Sequence, residues 1–227
     1  MRGRVPDSVA RVPEQRDLVR VVAASGVDDA RVLEAFGRVP RATFVPPELV
    51  NRAYRDEPLR IPHDQVTTQP SLVAKMIEAL SLEGEERVLE VGTGFGFQTA
   101  LLAELAERVW SIERWPDLAE TARANLERQG VRNAEVVIGD GTEGLSDHAP
   151  FDAIVVSAAF PSVPEPLSEQ LVTGGRIVHP VGSGGHEDVM LFERTGGGLV
   201  RRRSLTGARF VRLYGRHGFS DPPVERD

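Results

Sequence analysis

A chain of 227 residues with a formal net charge of -7 is long enough for one domain with a sizeable core, and its acidic average excludes broad electrostatic binding to nucleic acid. Its 41% hydrophobic and 27% charged residues describe a soluble globular protein, and no apolar run approaches a membrane span. Absence of cysteine rules out disulfides, thiolate nucleophiles and Cys-ligated metals. Met1-Arg2-Gly3-Arg4 begins no apolar secretory stretch, so a cytoplasmic location is expected.

Residues 1–16 are polar and contain proline, and are expected to be loose. Leu18, Val19, Val21 and Val22 give Gln15 to Ala24 the pattern of a helix that ends at Ser25-Gly26. Asp28-Asp29 can cap a second helix carrying Val32, Leu33 and Phe36, which Val39-Pro40 stops. Arg41 to Pro47 reads as an extended corner and Glu48 to Tyr54 as a short helical piece. Leu59 to Pro70 is a polar, proline-bounded loop of the kind that carries function when it precedes a ligand-binding sheet. In a plainer reading, Thr67, Thr68 and Ser71 only cap the amphipathic helix from Ser71 to Ser81.

Val88-Leu-Glu-Val-Gly-Thr-Gly-Phe-Gly96 runs from apolar β-formers into three glycines, and a helix from Phe97 to Ala106 follows. Gly92, Gly94 and Gly96 allow positive φ and let a ligand meet the main chain. Phe97 stands where a dinucleotide fingerprint would place its last glycine. A pyrophosphate wants no anion nearby, yet Glu90 precedes the turn and Asp140 comes later. The sulfonium and ammonium cations of S-adenosyl-L-methionine suit such acidic surroundings, so this methyl donor is the favoured cofactor. A turn that only closes a βα unit is the alternative.

Val109 to Glu113 is a second strand, and its terminal carboxylate stands where ribose hydroxyls are bound in nucleotide folds, about 20 residues past the first glycine. Glu113 can otherwise cap the helix from Asp117 to Gln129, which begins after Trp115-Pro116. A third strand, Ala134 to Ile138, stops at Gly139-Asp140-Gly141, where the aspartate can accept from an adenine amino group or serve only the turn. Phe151 to Ser157 is apolar at its centre, as a parallel strand covered on both faces requires. Ser157-Ala-Ala-Phe-Pro161 then replaces the Asn/Asp-Pro-Pro-Tyr/Phe common where exocyclic amines are methylated, so amine chemistry loses support. A helix from Glu165 to Leu171, a strand from Gly175 to Val181, a hairpin of Asp188 to Arg194 with Leu199 to Leu205, and an extended Ala208 to Tyr214 complete the pattern. Arg201-Arg202-Arg203 reads as a solvated strand face, and the tail from Ser220 as loose. The alternation indicates an α/β fold: a doubly wound, mostly parallel seven-stranded sheet with N-terminal helices and an antiparallel C-terminal hairpin. One domain is expected over 17–219, with a helical cap and loop at 17–82 and the sheet core at 83–219.

These residues resemble protein-L-isoaspartate O-methyltransferases over roughly residues 15–215. The resemblance is carried by Val88 to Ala100, Ser111-Ile-Glu113, Gly139-Asp-Gly141, Ala149 to Ile154, Gly174 to Gly182 and, most specifically, Gln65-Val-Thr-Thr-Gln-Pro70. It implies a Rossmann-like methyltransferase fold, S-adenosyl-L-methionine as cofactor, and methyl esterification of L-isoaspartyl carboxylates in damaged proteins and peptides. Glu113, with Arg114 beside it, would bind the ribose, and Asp140 with Gly141 the adenine. Glu90, Gly92, Thr93, Gly94 and Gln98 would serve the methionine portion, with Gln65, Val66 and Thr67 closing over it. Thr68 takes the place of the family's active-site serine in a loop that usually reads Gln-Thr-Ile-Ser-Gln-Pro. Pro62 and Asp64 replace common glycines, and Arg212 a common proline. The substrate peptide would lie over Ile61, His63, Val181, Arg209 and Arg212.

An isoaspartyl carboxylate is ionised at neutral pH and needs no general base, so the lack of a catalytic His, Cys or metal cluster is expected. His63, His148, His179, His186 and His217 show no ligand spacing and read as surface or loop residues, with no metal site among them. A monomer is expected, with neither nucleic-acid nor membrane partners. Two rivals remain: an aspartyl carboxyl methyltransferase acting on a ribosomally made peptide in natural-product maturation, and a non-catalytic adenosine-ligand binding module.

Overall fold

The computed structural model describes residues 13–220; the remainder of the ends expected to be loose, 1–12 and 221–227, lies outside the described residues. α1 (Gln15–Ala24) starts inside the stretch expected to be loose, because Glu14 and Asp17 form a reciprocal capping box at its N-terminus. Asp29 caps α2 (Ala30–Arg38) by accepting from the backbone N–H groups of Arg31 at 2.8 Å and Val32 at 3.3 Å.

Residues 41–44 depart from the extended corner expected of them and form a 3-10 turn. The cause is Arg41, whose side chain is fully buried. Its guanidinium donates to the carbonyl oxygens of Ala53 at 3.1 Å, Arg55 at 3.0 Å and Glu57 at 3.0 Å, and to Thr67 Oγ1 at 2.8 Å. A longer bond of 3.3 Å reaches the Thr68 carbonyl. An extended backbone at 41 would point this cation elsewhere. The polar loop at 59–70 also gains structure: β1 (Leu59–Ile61) and β2 (Gln65–Thr67) pair as a small antiparallel hairpin. Its turn holds His63 at φ 61° and Asp64 at φ 54°, left-handed values that cost a residue other than glycine conformational energy. α3 (Pro70–Leu80) follows.

The main sheet has seven strands: β3 (Arg87–Val91), β4 (Arg108–Glu113), β5 (Ala134–Ile138), β6 (Phe151–Val156), β7 (Leu171–Val181), β8 (Glu187–Thr195) and β9 (Gly198–Ala208). Their order is β5-β4-β3-β6-β7-β8-β9, with β3 to β7 parallel and the last two antiparallel. Between them stand α4 (Phe97–Ala103), α5 (Pro116–Arg128) and the short α6 (Glu165–Glu169). α4 ends three residues before the expected boundary, where Asn133 Nδ2 binds the carbonyls of Ala103 and Ala106. Ala208 to Tyr214 adds no strand; it pairs instead with Ala159, through Ala159 N to Val211 O at 2.7 Å and Leu213 N to Ala159 O at 2.8 Å.

Strand alternation divides the core into two layers. Val88, Val109, Ala153, Val155 and Val178 pack with α1 to α5, whereas Leu89, Val91, Ile112, Ile154 and Ile177 pack with Leu167 of α6 and with Leu213. Phe97 joins α4 to the N-terminal helices, edge-on to Phe36 at 5.7 Å and tilted to Phe44 at 6.0 Å. Among the described residues no helix is long and apolar enough to cross a membrane.

Burial lowers the pKa of Arg41 to about 10, so it stays charged at neutral pH, and main-chain carbonyls rather than a carboxylate satisfy it. Arg41→Met would leave those acceptors dry. A loss of roughly 3 to 5 kcal/mol is expected, seen as a lower urea midpoint, with Arg41→Lys recovering only part of it.

Candidate active site

The crossovers leaving β3 run to one side through α4 and α5, and those from β6 to the other through α6, so the order reverses between β3 and β6. Ligands of open α/β sheets bind at the carboxyl ends of strands at such a point. There the chain turns through Gly92, Gly94 and Gly96 at φ 98°, 55° and 92°, values open to glycine alone without strain. Gly141 is required for a different reason: a Cβ there would meet Val91 Cγ1 at 2.4 Å.

Glu90 is fully buried. One carboxylate oxygen accepts from Gln98 Nε2 at 3.0 Å, the other from Ser111 Oγ at 2.6 Å and from the Thr99 hydroxyl. Burial raises its pKa to about 7 against those hydrogen bonds. Ser111 Oγ lies 2.6 Å from Thr93 Oγ1, and Gln98 Nε2 also donates to Ser157 Oγ at 3.0 Å, so the network reaches the glycine turn and the end of β6. Glu113 accepts from Gly94 N at 2.8 Å on one oxygen and Trp115 N at 3.0 Å on the other, and the Arg114 N–H also donates to it. Burial raises its pKa, with the backbone donors opposing.

Three cavities matter. The first is lined by Gln65, Val66, Thr67 and Thr68 of the hairpin, Gly92, Thr93 and Gly94 of the turn, and Gln98, Glu113, Arg114, Gly141 and Arg212, all expected at the site. Ser157, Leu118, Leu213 and Tyr214, which the residue pattern did not single out, line it too. Arg114 stands over the rings of Trp115 at 5.1 Å and Tyr214 at 5.5 Å. A second cavity shares Val66, Thr68, Ser157 and Val211 with the first and adds Lys75 and Arg209.

Five expected residues lie elsewhere. Glu90 does not line the cavity; it sits behind the wall and acts through Gln98 and Thr93. Asp140 is likewise withdrawn, its oxygens accepting from Arg216 N at 2.7 Å and from Thr142 N at 2.9 Å. Burial raises its pKa, but these donors outweigh burial and the net shift is downward. Val181 pairs with Asp188 and shares its sheet face with Met190, so it lines a third cavity with no lining residue in common with the other two. Ile61 is buried, against Gly94. His63 stacks on Trp115 at 4.0 Å and 2° and reaches Asp117 at 2.9 Å, fastening the hairpin tip to the start of α5. His179, read as a surface or loop residue, is instead fully buried in β7, where desolvation lowers its pKa to about 4.

The comparisons match this geometry. The model of the family "Protein-L-isoaspartate(D-aspartate) O-methyltransferase (PCMT)" matches residues 13–218. The chain belongs to this family. Among its relatives, the protein-L-isoaspartate O-methyltransferase of Methanoculleus marisnigri is 49% identical over 208 residues, 91% of this chain and 94% of that one. The corresponding protein of Anaeromyxobacter dehalogenans is 50% identical over 200 residues, 87% and 96% of the two chains. A solved protein-L-isoaspartate O-methyltransferase superposes with a TM-score of 0.78 at 30% identity, covering 90% of this chain and 67% of the other. A further solved structure, a Plasmodium falciparum protein in complex with S-adenosyl-L-homocysteine, shares the fold with a TM-score of 0.77 at 21% identity, covering 88% and 98%.

The residues present fit the family's cofactor. Gln98 Oε1 is a buried acceptor with no partner, on a side chain that lines the first cavity and suits an ammonium donor. Glu113 lines the same cavity and retains acceptor capacity beyond its three backbone donors.

Glu90 generates a pH dependence. A cation held beside Gln98 favours ionised Glu90, so a proton leaves on binding wherever Glu90 is protonated in the free protein, below about pH 7. S-adenosyl-L-homocysteine, which keeps the ammonium, is expected to bind several-fold tighter at about pH 8 than at about pH 6. Calorimetry should find that tightening diminished in Glu90→Gln; an identical profile would remove Glu90 from the linkage.

Proposed function

We infer that this protein uses S-adenosyl-L-methionine to methylate the free carboxylate of L-isoaspartyl residues in damaged proteins and peptides, the first step of their repair. The observation that carries the reading is the meeting of two cavities along a wall made by Val66, Thr68, Ser157 and Val211. The bound cofactor supplies a methyl group on a cationic sulfur. The second cavity adjoins the first along that wall and would admit the acceptor carboxylate. The new bond joins carboxylate oxygen to methyl carbon, and the pair of the broken bond stays on sulfur.

This chain's residues then have distinct tasks. Glu113 holds the ribose, Gly141 and Leu118 bound the adenine end, and Gln98 and Thr93 hold the methionine portion under the control of Glu90. Thr68 and Ser157 are the only hydroxyl-bearing residues of the shared wall, and both would donate to the incoming carboxylate. Ser157 Oγ accepts from Gln98, which frees its own proton for that purpose. Holding two reactants in line is worth up to roughly 7 to 11 kcal/mol, so positioning suffices without a base.

The proposal extends to a cytoplasmic monomer of one domain acting on polypeptides rather than nucleic acid. Its support is the acidic net charge of -7 and the continuous core that joins α1 to α5 with the sheet. The basic run on β9 is exposed, with Arg202 paired to Glu193 at 3.0 Å.

An isoaspartyl peptide and its ordinary aspartyl counterpart, offered with labelled cofactor, test the reading. Label is expected on the isoaspartyl peptide; transfer to the aspartyl peptide alone would mark a peptide-maturation enzyme instead. Thr68→Val and Ser157→Ala are each expected to lower kcat roughly tenfold to a hundredfold, the worth of one hydrogen bond to a charged group. Unchanged rates would leave the hydroxyls without a catalytic part.

A further inference from the structure

The second cavity is cationic. Lys75 and Arg209 line it, and no Asp or Glu does, in a chain whose net charge is -7. Lys75 is the only lysine of the sequence, and its place on α3 is specific. Ser71, Leu72 and Lys75 recur at the spacing of one helical stripe, and all three face this cavity, while most of α3 is buried.

Lys75 is half-buried and, among the described residues, has neither an ion pair nor a hydrogen bond. No Asp or Glu among the described residues pairs with it, and acids of neighbouring segments hold other donors, Glu187 by one oxygen only. Asp56 accepts from Ser71 N at 2.8 Å and Gln69 Nε2 at 2.9 Å; Glu187 accepts from Phe210 N at 2.9 Å; Glu78 accepts from Asp28 N at 2.7 Å and Asp29 N at 2.8 Å. Arg209 is exposed and likewise has no partner among the described residues. Neither cation lines the first cavity, and neither belongs to the wall shared by the two. The reacting carboxylate is served at that wall, so these cations face a different part of the substrate.

We propose that Lys75 and Arg209 form a subsite for a second carboxylate of the peptide, one that is not methylated. This subsite rests on the isoaspartyl reading above and gives the enzyme a preference for acceptors carrying another anion close to the damaged residue. The anion is an acidic side chain in the sequence next to the isoaspartyl, or the peptide's own C-terminus. Partly exposed pairs of this kind are modest, so the preference is expected to be roughly fivefold.

Three isoaspartyl peptides separate the possibilities: one neutral with an amidated end, one with a flanking glutamate and an amidated end, and one neutral with a free C-terminus. For the wild-type protein KM is expected to be about fivefold lower for at least one anionic peptide than for the neutral one. Which peptide gains identifies the source of the carboxylate. In Lys75→Met that KM ratio is expected to fall towards one, and Lys75→Arg is expected to restore it. Both peptides are compared on one protein preparation, so a smaller folded fraction cancels from the ratio. Equal KM values on the wild type, or a ratio unchanged in Lys75→Met, would overturn the subsite while leaving the reaction intact. Methylation of none of the three would instead overturn the isoaspartyl reading, and the subsite with it.

Discussion

The Glu90 carboxylate is the point on which the site depends. It ties β3 to α4 through Gln98 and Thr99, to β4 through Ser111, to the glycine turn through Thr93, and to the end of β6 through Gln98 and Ser157. Burying a carboxylate is costly unless donors surround it, and here the hydrogen bonds only partly offset desolvation, as its raised pKa shows. What this gains is pre-organisation. Gln98, Thr93 and Ser157, which line the first cavity, take their positions from a group that does not itself line it.

The cover over the site is held in a similar way from its other side. Arg41 ties the segment 53–57 to Thr67 and the Thr68 carbonyl, fixing the base of the hairpin. His63, stacked on Trp115 and bonded to Asp117, fixes its tip. Between these anchors Thr68 faces both cavities. Asp64 in a left-handed turn adds conformational cost at the tip, the less secure of the two anchors, since His63 and Asp117 are partly exposed.

The parts of the fold legible from residues were those where backbone chemistry leaves little choice. Three glycines after an apolar run specify a turn, acids at strand ends stand beside it, and alternation of strands and helices specifies a wound sheet. Arg41 was illegible because an arginine after a proline ordinarily points to solvent, and only the folded chain shows five acceptors converging on it. Glu90 was read as part of an acidic rim, but the pleat turns it inward to α4, and its effect passes through Gln98. Val181 was expected beside the peptide and lines the third cavity, because it shares a sheet face with Asp188 and Met190, a pairing that single-sequence pattern does not determine. Ser157 did carry a signal: it ends β6, the strand beside the glycine turn at the reversal of strand order, where ligands collect.

The two cavities differ in charge in a way that bears on the reaction. Glu113 lines the first, with Glu90 behind it, while the arginines on that wall are set against aromatic rings, Arg114 over Trp115 and Arg212 over Phe219 at 5.2 Å. The charged residues that line the second, Lys75 and Arg209, are both cations. The second cavity therefore favours an anion, while the first sets Glu113 among arginines and selects by position rather than by net charge. Methyl transfer cancels both charges at once, turning a sulfonium into a thioether and a carboxylate into an ester. The attraction between the reacting ends vanishes in the same step, so the electrostatic contribution that favours the pair of substrates is absent from the pair of products.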